Sequence, residues 1–164
     1  EKTKYLIQSP GGPPASETLY SVQNGFDMVI KGALLSGGEA LVIAPCNGRP
    51  EVPDHIRGIC PDPESMELFW DTLVTYLNKP LEDWISFVDK NFKLFMWKTD
   101  RVIKLFKDSQ IKIYIYSQLP DAVLLKGGFI PEHDPQKWIN ERAARQDGKI
   151  WCVDEANKLC VLGK

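Results

Sequence analysis

The chain has 164 residues, of which 43% are hydrophobic and 26% are charged, and its formal net charge is −2. This length and composition are ordinary for one globular domain with its own core. The charge balance gives no basic surface for nucleic acid, and no apolar run is long enough to cross a bilayer. We therefore expect a single domain over residues 1–164, without a nucleic-acid or membrane partner.

The cysteines and histidines show no metal-binding pattern. The four cysteines form no Cys-x-x-Cys pair and the chain has two histidines, so we expect no zinc or other metal site. Cys152 and Cys160 lie in apolar runs, which predicts buried thiols. Cys46 and Cys60 are able to pair if the fold brings them together. Free thiols favour a reducing compartment, and we expect a cytoplasmic protein.

A glycine-rich loop follows the first predicted strand, residues 4–8. Gly11-Gly12-Pro13-Pro14 allows a sharp turn at the strand exit, which is the edge of an open α/β sheet where ligands bind. The loop lacks the full GxGxxG pattern, so it is a weak indication of dinucleotide binding. Ser16 is the predicted N-cap of the helix that follows.

That helix carries an apolar stripe and leads into a second strand. Its core-facing residues are Leu19, Val22, Phe26, Val29, Ile30 and Ala33. Ser36-Gly37-Gly38 is predicted to end the helix, and the apolar run 40–44 is typical of a strand covered on both faces. The long irregular segment 45–61, which includes His55, is either a functional loop or a solvated surface excursion.

Helices and strands alternate through the rest of the chain. Asp62-Pro63-Glu64 predicts a helix start, residues 81–91 and 92–107 add further helical patterns, and Trp97 alone indicates a core position. Residues 110–116 alternate like a strand, and a last helix is expected to point Trp138, Ile139 and Ala143 inward. Residues 149–153 and 158–162 are predicted as closing strands. This order favours a three-layer, Rossmann-like α/β domain, with a mostly parallel sheet and helices on both faces.

Taken together, these motifs resemble the C-terminal domain of the nickel-pincer-dependent lactate racemase family. The resemblance covers essentially the whole chain, in order. It is carried by Gly11-Gly12-Pro13-Pro14 with Leu19-Tyr20, by Gly37-Gly38 before the strand at 40–44, by the aromatic segment 92–98, by the strand at 111–117 with Leu119-Pro120 and Gly128-Phe129, and by the closing strand pair.

The resemblance implies a divergent racemase or epimerase that acts on a 2-hydroxy acid. A further N-terminal domain would hold the histidine bases and most of the nickel-pincer nucleotide, and this domain would close the cleft. The isolated domain is then expected to be inactive and to hold no cofactor. The residues implied to contact substrate or cofactor are Gly11, Gly12, Tyr20, Ser21, Asn24 and Trp97.

Two of these positions depart from the family pattern. Ser21 stands where the family has glutamine, and Asn24 stands where it has lysine. A neutral amide binds a carboxylate less strongly than an ammonium does, which favours a different 2-hydroxy acid or a sugar acid over lactate, or a lost activity.

Two other functions remain open. The chain is alternatively a non-catalytic α/β module that uses the glycine loop to bind a small anion or a partner protein. A Rossmann-like oxidoreductase is disfavoured, because the second strand ends in Ala44-Pro45-Cys46 and lacks an acid for the ribose.

Overall fold

A five-stranded, entirely parallel sheet forms the centre of the protein. It is seen in a computed structural model that describes residues 1–162. The strand order is β4-β3-β2-β1-β5, so β1 is flanked by β2 and β5 and its carboxyl end lies where the strand order reverses. The strands are β1 (Thr3–Gln8), β2 (Leu34–Ile43), β3 (Lys112–Tyr116), β4 (Ile130–Pro131) and β5 (Ile150–Val153).

Eight α-helical segments connect or flank the strands in this part of the chain. None of the helices within residues 1–162 is long and apolar enough to cross a membrane. They are α1 (Leu19–Val22), α2 (Lys31–Ala33), α3 (Pro63–Ser65), α4 (Thr72–Tyr76), α5 (Leu81–Asn91), α6 (Met96–Lys107), α7 (Asp121–Lys126) and α8 (Pro135–Arg145), with π-helical turns at Phe26–Ile30 and Met66–Asp71 and a 3₁₀ turn at Ala156–Lys158.

The two faces of the sheet are covered unequally. Leu6, Val42 and Ile115 point to the face that packs against most of the helices, in one large core. Leu41 and its neighbours on the opposite face pack against Trp138 of α8. Because side chains alternate along a strand, the central strands are apolar on both faces, as expected for a parallel sheet with helices on both sides. The predicted α/β architecture is confirmed.

A buried ion pair fastens α8 to the sheet. Arg142 Nη2 and Nε donate to Glu39 Oε2 at 2.6 and 2.9 Å, and both side chains are largely buried. The Arg142 guanidinium also lies 4.5 Å from the centre of the Trp138 ring. Burial by itself would raise the pKa of Glu39, but hydrogen bonds and charge from Arg142 and Arg145 outweigh it and the pKa is lowered.

The helix after the glycine loop begins later than predicted. Thr18, not Ser16, is the N-cap, and its Oγ1 accepts from the Ser21 amide at 3.2 Å. Ser16 is buried, and its carbonyl accepts from the Cys46 amide at 3.0 Å. The long segment 45–61 contains no helix or strand, as predicted, and it packs on this helix start: the Gly58 carbonyl accepts from the Leu19 amide at 2.9 Å. All six predicted core positions on the stripe are buried.

The end of that helix was also placed wrongly. It ends at Ala33, and Ser36-Gly37-Gly38 lies inside β2 rather than in a helix terminus. The pairing of β2 with β1 is irregular here, since Thr3 pairs with Leu34 whereas Tyr5 pairs with Glu39. Gly37 has a φ of +75°, so the glycines accommodate a bulge in the strand.

Several predictions near the C-terminal end were wrong. Ala143 is exposed, and Arg142 takes the inward position beside it. Residues 159–162 are not a strand; they follow the 3₁₀ turn at Ala156–Lys158 as irregular chain. Cys152 and Cys160 are exposed, whereas Cys46 and Cys60 are buried, and all four are free thiols. The side chains of β5 are half-buried apart from the exposed Cys152, which the apolar composition of the run did not indicate.

We expect Arg142→Met to lower the free energy of unfolding by about 3–5 kcal/mol, because it leaves the buried Glu39 carboxylate without its main partner. Arg145→Met is the matched control. Its side chain is 45% exposed and contacts Glu39 at 3.3 Å, so it should cost about 1 kcal/mol or less. Equal losses in urea unfolding would contradict this account of α8.

The same ion pair predicts acid sensitivity. Because the pKa of Glu39 is lower in the folded state than in the unfolded state, its stabilisation is present above the unfolded pKa and disappears as the pH falls through the folded pKa. The stability difference between the wild type and Glu39→Gln should therefore shrink between pH 7 and pH 3. A difference that stays constant over this range in urea titrations would exclude the ion pair as its source.

Candidate substrate-binding site

The helical segment behind the glycine loop is broken. α1 ends at Val22, and the next helical stretch, Phe26–Ile30, is π-helical. A break of this kind leaves carbonyl groups without their usual partners along the helix, and π-helical turns are frequent at functional sites. The carbonyl of Tyr20 is one such group. It accepts from the neighbouring Gln23 Nε2 at 3.1 Å and from a lysine of another helix.

The ammonium of Lys98 lies against this break. Lys98 is in the first turn of α6, and its Nζ donates to the Tyr20 carbonyl at 3.0 Å and to Asn24 Oδ1 at 2.9 Å. Nζ also lies 3.9 Å from the centre of the Tyr20 ring and 4.8 Å from that of Trp97. Three of the predicted site residues, Tyr20, Asn24 and Trp97, therefore meet at one ammonium.

This ammonium is in an unfavourable place for a charge. Lys98 is 5% exposed, and within residues 1–162 no carboxylate lies within ion-pair distance of it. Burial, followed by the nearby charge of Arg101, lowers its pKa to about 8. The N-terminal end of a helix adds a positive partial charge in the same region. Two cations, Lys98 and Arg101, therefore lie near each other beside this break, and Arg101 is paired with Asp27 at 3.2 Å.

Asn24 is oriented by its neighbours. Its Oδ1 accepts from Lys98 Nζ and from Gln23 Nε2, both at 2.9 Å. These two donors fix which end of the amide is the oxygen, so Nδ2 must point elsewhere. Nδ2 has no acceptor among residues 1–162, and the side chain is partly exposed. Asn24 therefore presents a donor to solvent or to a ligand.

Aromatic rings surround the ammonium. The Tyr20 ring makes edge contacts with Phe69 and Phe95, with centroid distances of 5.7 and 6.1 Å. Burial raises the pKa of Tyr20, so the phenol stays protonated at neutral pH. Trp97 is only partly buried, in contrast to the core position that its residue type indicated. The guanidinium of Arg101 lies over the Trp97 ring, 4.1 Å from its centre. Tyr20, Asn24, Trp97, Lys98 and Arg101 are called the Lys98 cluster below.

Three predicted site residues lie outside this cluster. Ser21 Oγ accepts from Thr18 Oγ1 at 3.1 Å, and its carbonyl accepts from Asn157 Nδ2 at 3.0 Å. Gly11 and Gly12 follow β1, where the strand order reverses. Gly11, with a φ of +94°, lies against Glu155, which follows β5. Lys98 donates its hydrogen bonds to Tyr20 and Asn24 and not to these three residues. The role of all six residues stays a prediction.

The described residues do not form a metal centre. Within residues 1–162, no group of three or more His, Cys, Asp or Glu side chains is arranged to hold a metal ion. Burial raises the pKa of Cys46 to about 12, and it also raises that of Cys60, so neither buried thiol is a ready thiolate ligand. His55 is exposed, and His133 Nε2 contacts Asp121 at 3.1 Å on the surface.

Sequence reasoning missed Lys98 and Arg101. The spacing of Trp97 and Arg101, four residues apart, places both on one face of α6, and Lys98 follows the tryptophan directly. The sequence therefore contains this pattern. It does not predict that α6 faces the break between α1 and the Phe26–Ile30 turn, because that contact joins residues more than 70 positions apart.

Comparison with known proteins gives structural neighbours only. No protein-family model and no curated protein matches the chain in sequence. The lactate racemase apoprotein from Thermoanaerobacterium thermosaccharolyticum matches 100% of this chain, with a TM-score of 0.66 and 14% identity. A structural-genomics protein from Thermotoga maritima matches 92% of it, with a TM-score of 0.54 and 13% identity. Because the identities are this low, the two proteins show the fold of this chain alone. The chain spans only 36% and 35% of their lengths.

We expect the Lys98 side chain to titrate with a midpoint of about 8, well below its ordinary value of 10.5, because its charged form is buried. Its NMR signal can be followed against pH and assigned by its loss in Lys98→Met. Because the folded-state pKa is the lower one, the charge destabilises the fold below pH 8, and this cost declines as the pH rises towards 10.5. A midpoint near 10.5 would contradict the burial of this charge.

Proposed function

We propose that this chain is the C-terminal domain of a racemase or epimerase that acts on 2-hydroxy acids. The observation that carries the proposal is the structural match to a lactate racemase over the full length of the chain. The chain spans about a third of that protein, so the proposal includes a further domain, N-terminal to this one, which forms the other wall of the cleft.

The Lys98 cluster has the chemistry that such a substrate needs. A 2-hydroxy acid presents a carboxylate and a neighbouring hydroxyl, and both are bound by hydrogen-bond donors and by positive charge. Asn24 presents its amide nitrogen, Trp97 carries an indole N–H, and Arg101 and Lys98 supply positive charge. We infer that Tyr20 and Trp97 contact the substrate, a 2-hydroxy acid or a sugar acid.

Lys98 supplies the positive charge that position 24 lacks in this chain. The resemblance to the racemase family implies a lysine at position 24, and this chain has asparagine there. The Lys98 ammonium, from a different helix, lies 2.9 Å from the Asn24 side chain. A positive charge is therefore present at this point of the fold, although a different residue carries it. This favours a retained ability to bind acids.

The proposal assigns the nickel-pincer nucleotide to the N-terminal domain, because the described residues here offer no metal centre. It assigns the reaction to the complete protein and leaves the isolated domain inactive. Lys98 is the only member of the cluster able to take up a proton near neutral pH, and its amine is buried and hydrogen-bonded. We further propose a cytoplasmic location, which suits four free thiols.

The alternative is a non-catalytic module that binds small organic acids. It is favoured by the composition of the Lys98 cluster, which contains hydrogen-bond donors and aromatic rings but neither carboxylate nor imidazole. Both proposals predict acid binding, and only the first predicts a new stereoisomer.

We expect the complete protein, loaded with the nickel-pincer nucleotide, to form the C2 epimer of at least one acid in a panel of 2-hydroxy acids and sugar acids. Chiral chromatography measures the product. Tyr20→Phe keeps the ring contacts and removes the hydroxyl, so it should lower kcat/KM roughly 3- to 10-fold, the usual value of one hydrogen bond.

The matched control is Tyr116→Phe, which removes a hydroxyl from an exposed tyrosine at the end of β3. It should leave kcat/KM unchanged. If the loaded protein forms no epimer from any acid of the panel, the racemase proposal is wrong and the binding module is favoured.

A further inference from the structure

Arg101 is the accessible cation of the Lys98 cluster. Its guanidinium stacks on Trp97, and its Nε lies 3.2 Å from Asp27 Oδ2. The side chain is 31% exposed. It lines a cavity of about 280 Å³ between α6 and the segment 27–31, a volume suited to a molecule of a few carbon atoms.

The two terminal nitrogens of Arg101 make no hydrogen bond within residues 1–162. The shortest contact between Arg101 and a carboxylate is from Nε, to Asp27 Oδ2 at 3.2 Å. Arg142 shows the contrast, because its Nε, Nη1 and Nη2 all donate to carboxylates. A guanidinium that lies against an aromatic ring, with no hydrogen bond at its two terminal nitrogens, is suited to bind a carboxylate with two parallel hydrogen bonds.

Lys98 cannot fill the same role without losing contacts. It is 5% exposed, and its ammonium already donates to the Tyr20 carbonyl and to Asn24. Lys98 does not line the cavity, but it lies close enough to Arg101 for the two charges to interact. The lining itself has three cations and three carboxylates, Lys31, Arg101 and Lys104 with Asp27, Asp100 and Asp108. The charge of Lys98 is therefore additional to a balanced lining, and it would favour an anion bound at Arg101.

We propose that Arg101 binds the carboxylate of the ligand through its terminal nitrogens, with the Trp97 ring as the surface against which the guanidinium lies. This inference rests on the proposed function, and it names the residue that binds the acid group of the substrate. Lys98 is a positioning residue: it orients Asn24 and contributes charge without touching the ligand.

The test is a titration of the complete protein, followed by the NMR signal of the Trp97 indole, with sodium lactate, malate and gluconate as probes. Lactamide, which lacks the charge, is the neutral comparison. Arg101→Met should weaken binding of the best acid about 10- to 100-fold and leave the weak binding of lactamide unchanged. Arg101→Lys keeps the charge but loses the paired terminal nitrogens, so its affinity for the acid should lie between those of the wild type and Arg101→Met.

Arg49→Met is the matched control, since Arg49 also pairs with an acid through Nε, Glu17 at 2.9 Å, and is 56% exposed. It should bind the acids as the wild type does. If Arg101→Met is misfolded, the affinity of Arg101→Lys for the acids tests the inference instead, and a weaker affinity than that of the wild type supports it. The inference is overturned if none of the three acids shifts the Trp97 signal, or if both Arg101 variants bind acids with wild-type affinity.

The two proposals fail separately. Loss of acid binding in Arg101→Met, without epimer formation by the wild type, supports the role of Arg101 and contradicts the racemase proposal. Epimer formation at the wild-type rate by Arg101→Met supports the racemase proposal and overturns the role of Arg101.

Discussion

The candidate site depends on the buried ammonium of Lys98, which has oxygen acceptors but, within residues 1–162, no carboxylate at ion-pair distance. Lys98 finds them at the break in the helix behind the glycine loop, in the Tyr20 carbonyl and the Asn24 side chain. A buried cation without acceptors is costly, and these two oxygens supply them. The Tyr20 carbonyl also accepts from Gln23 Nε2 at 3.1 Å. The Lys98 contact joins α6 to α1, and it therefore determines where Trp97 and Arg101 lie relative to Tyr20.

The fold was largely predictable because its signals are local. Strand alternation, the Asp62 cap and the apolar stripe from Leu19 to Ala33 each follow from a few adjacent residues, and the structure confirms them. The errors have a common cause in tertiary contacts. Arg142 is buried instead of Ala143 because Glu39 and Trp138 provide partners for its guanidinium. No pattern within α8 itself contains that information.

The candidate site was predictable only in part. Tyr20, Asn24 and Trp97 came from a resemblance between sequences, and they do meet in space. Nothing in the sequence marks Lys98 as buried, because lysine side chains are normally solvated. Its role depends on a broken helix, and that break is not visible in the apolar spacing, which continues through Val22, Phe26 and Val29 as though the helix were continuous.

The short outer strands of the sheet limit how this domain can associate. β4 has two residues and β5 has four, so each edge offers few free backbone groups to a strand from another chain. Growth of the sheet from one molecule to the next is disfavoured for this reason. A second domain or a partner protein would therefore contact this domain through side chains and loops instead of adding a strand to the sheet.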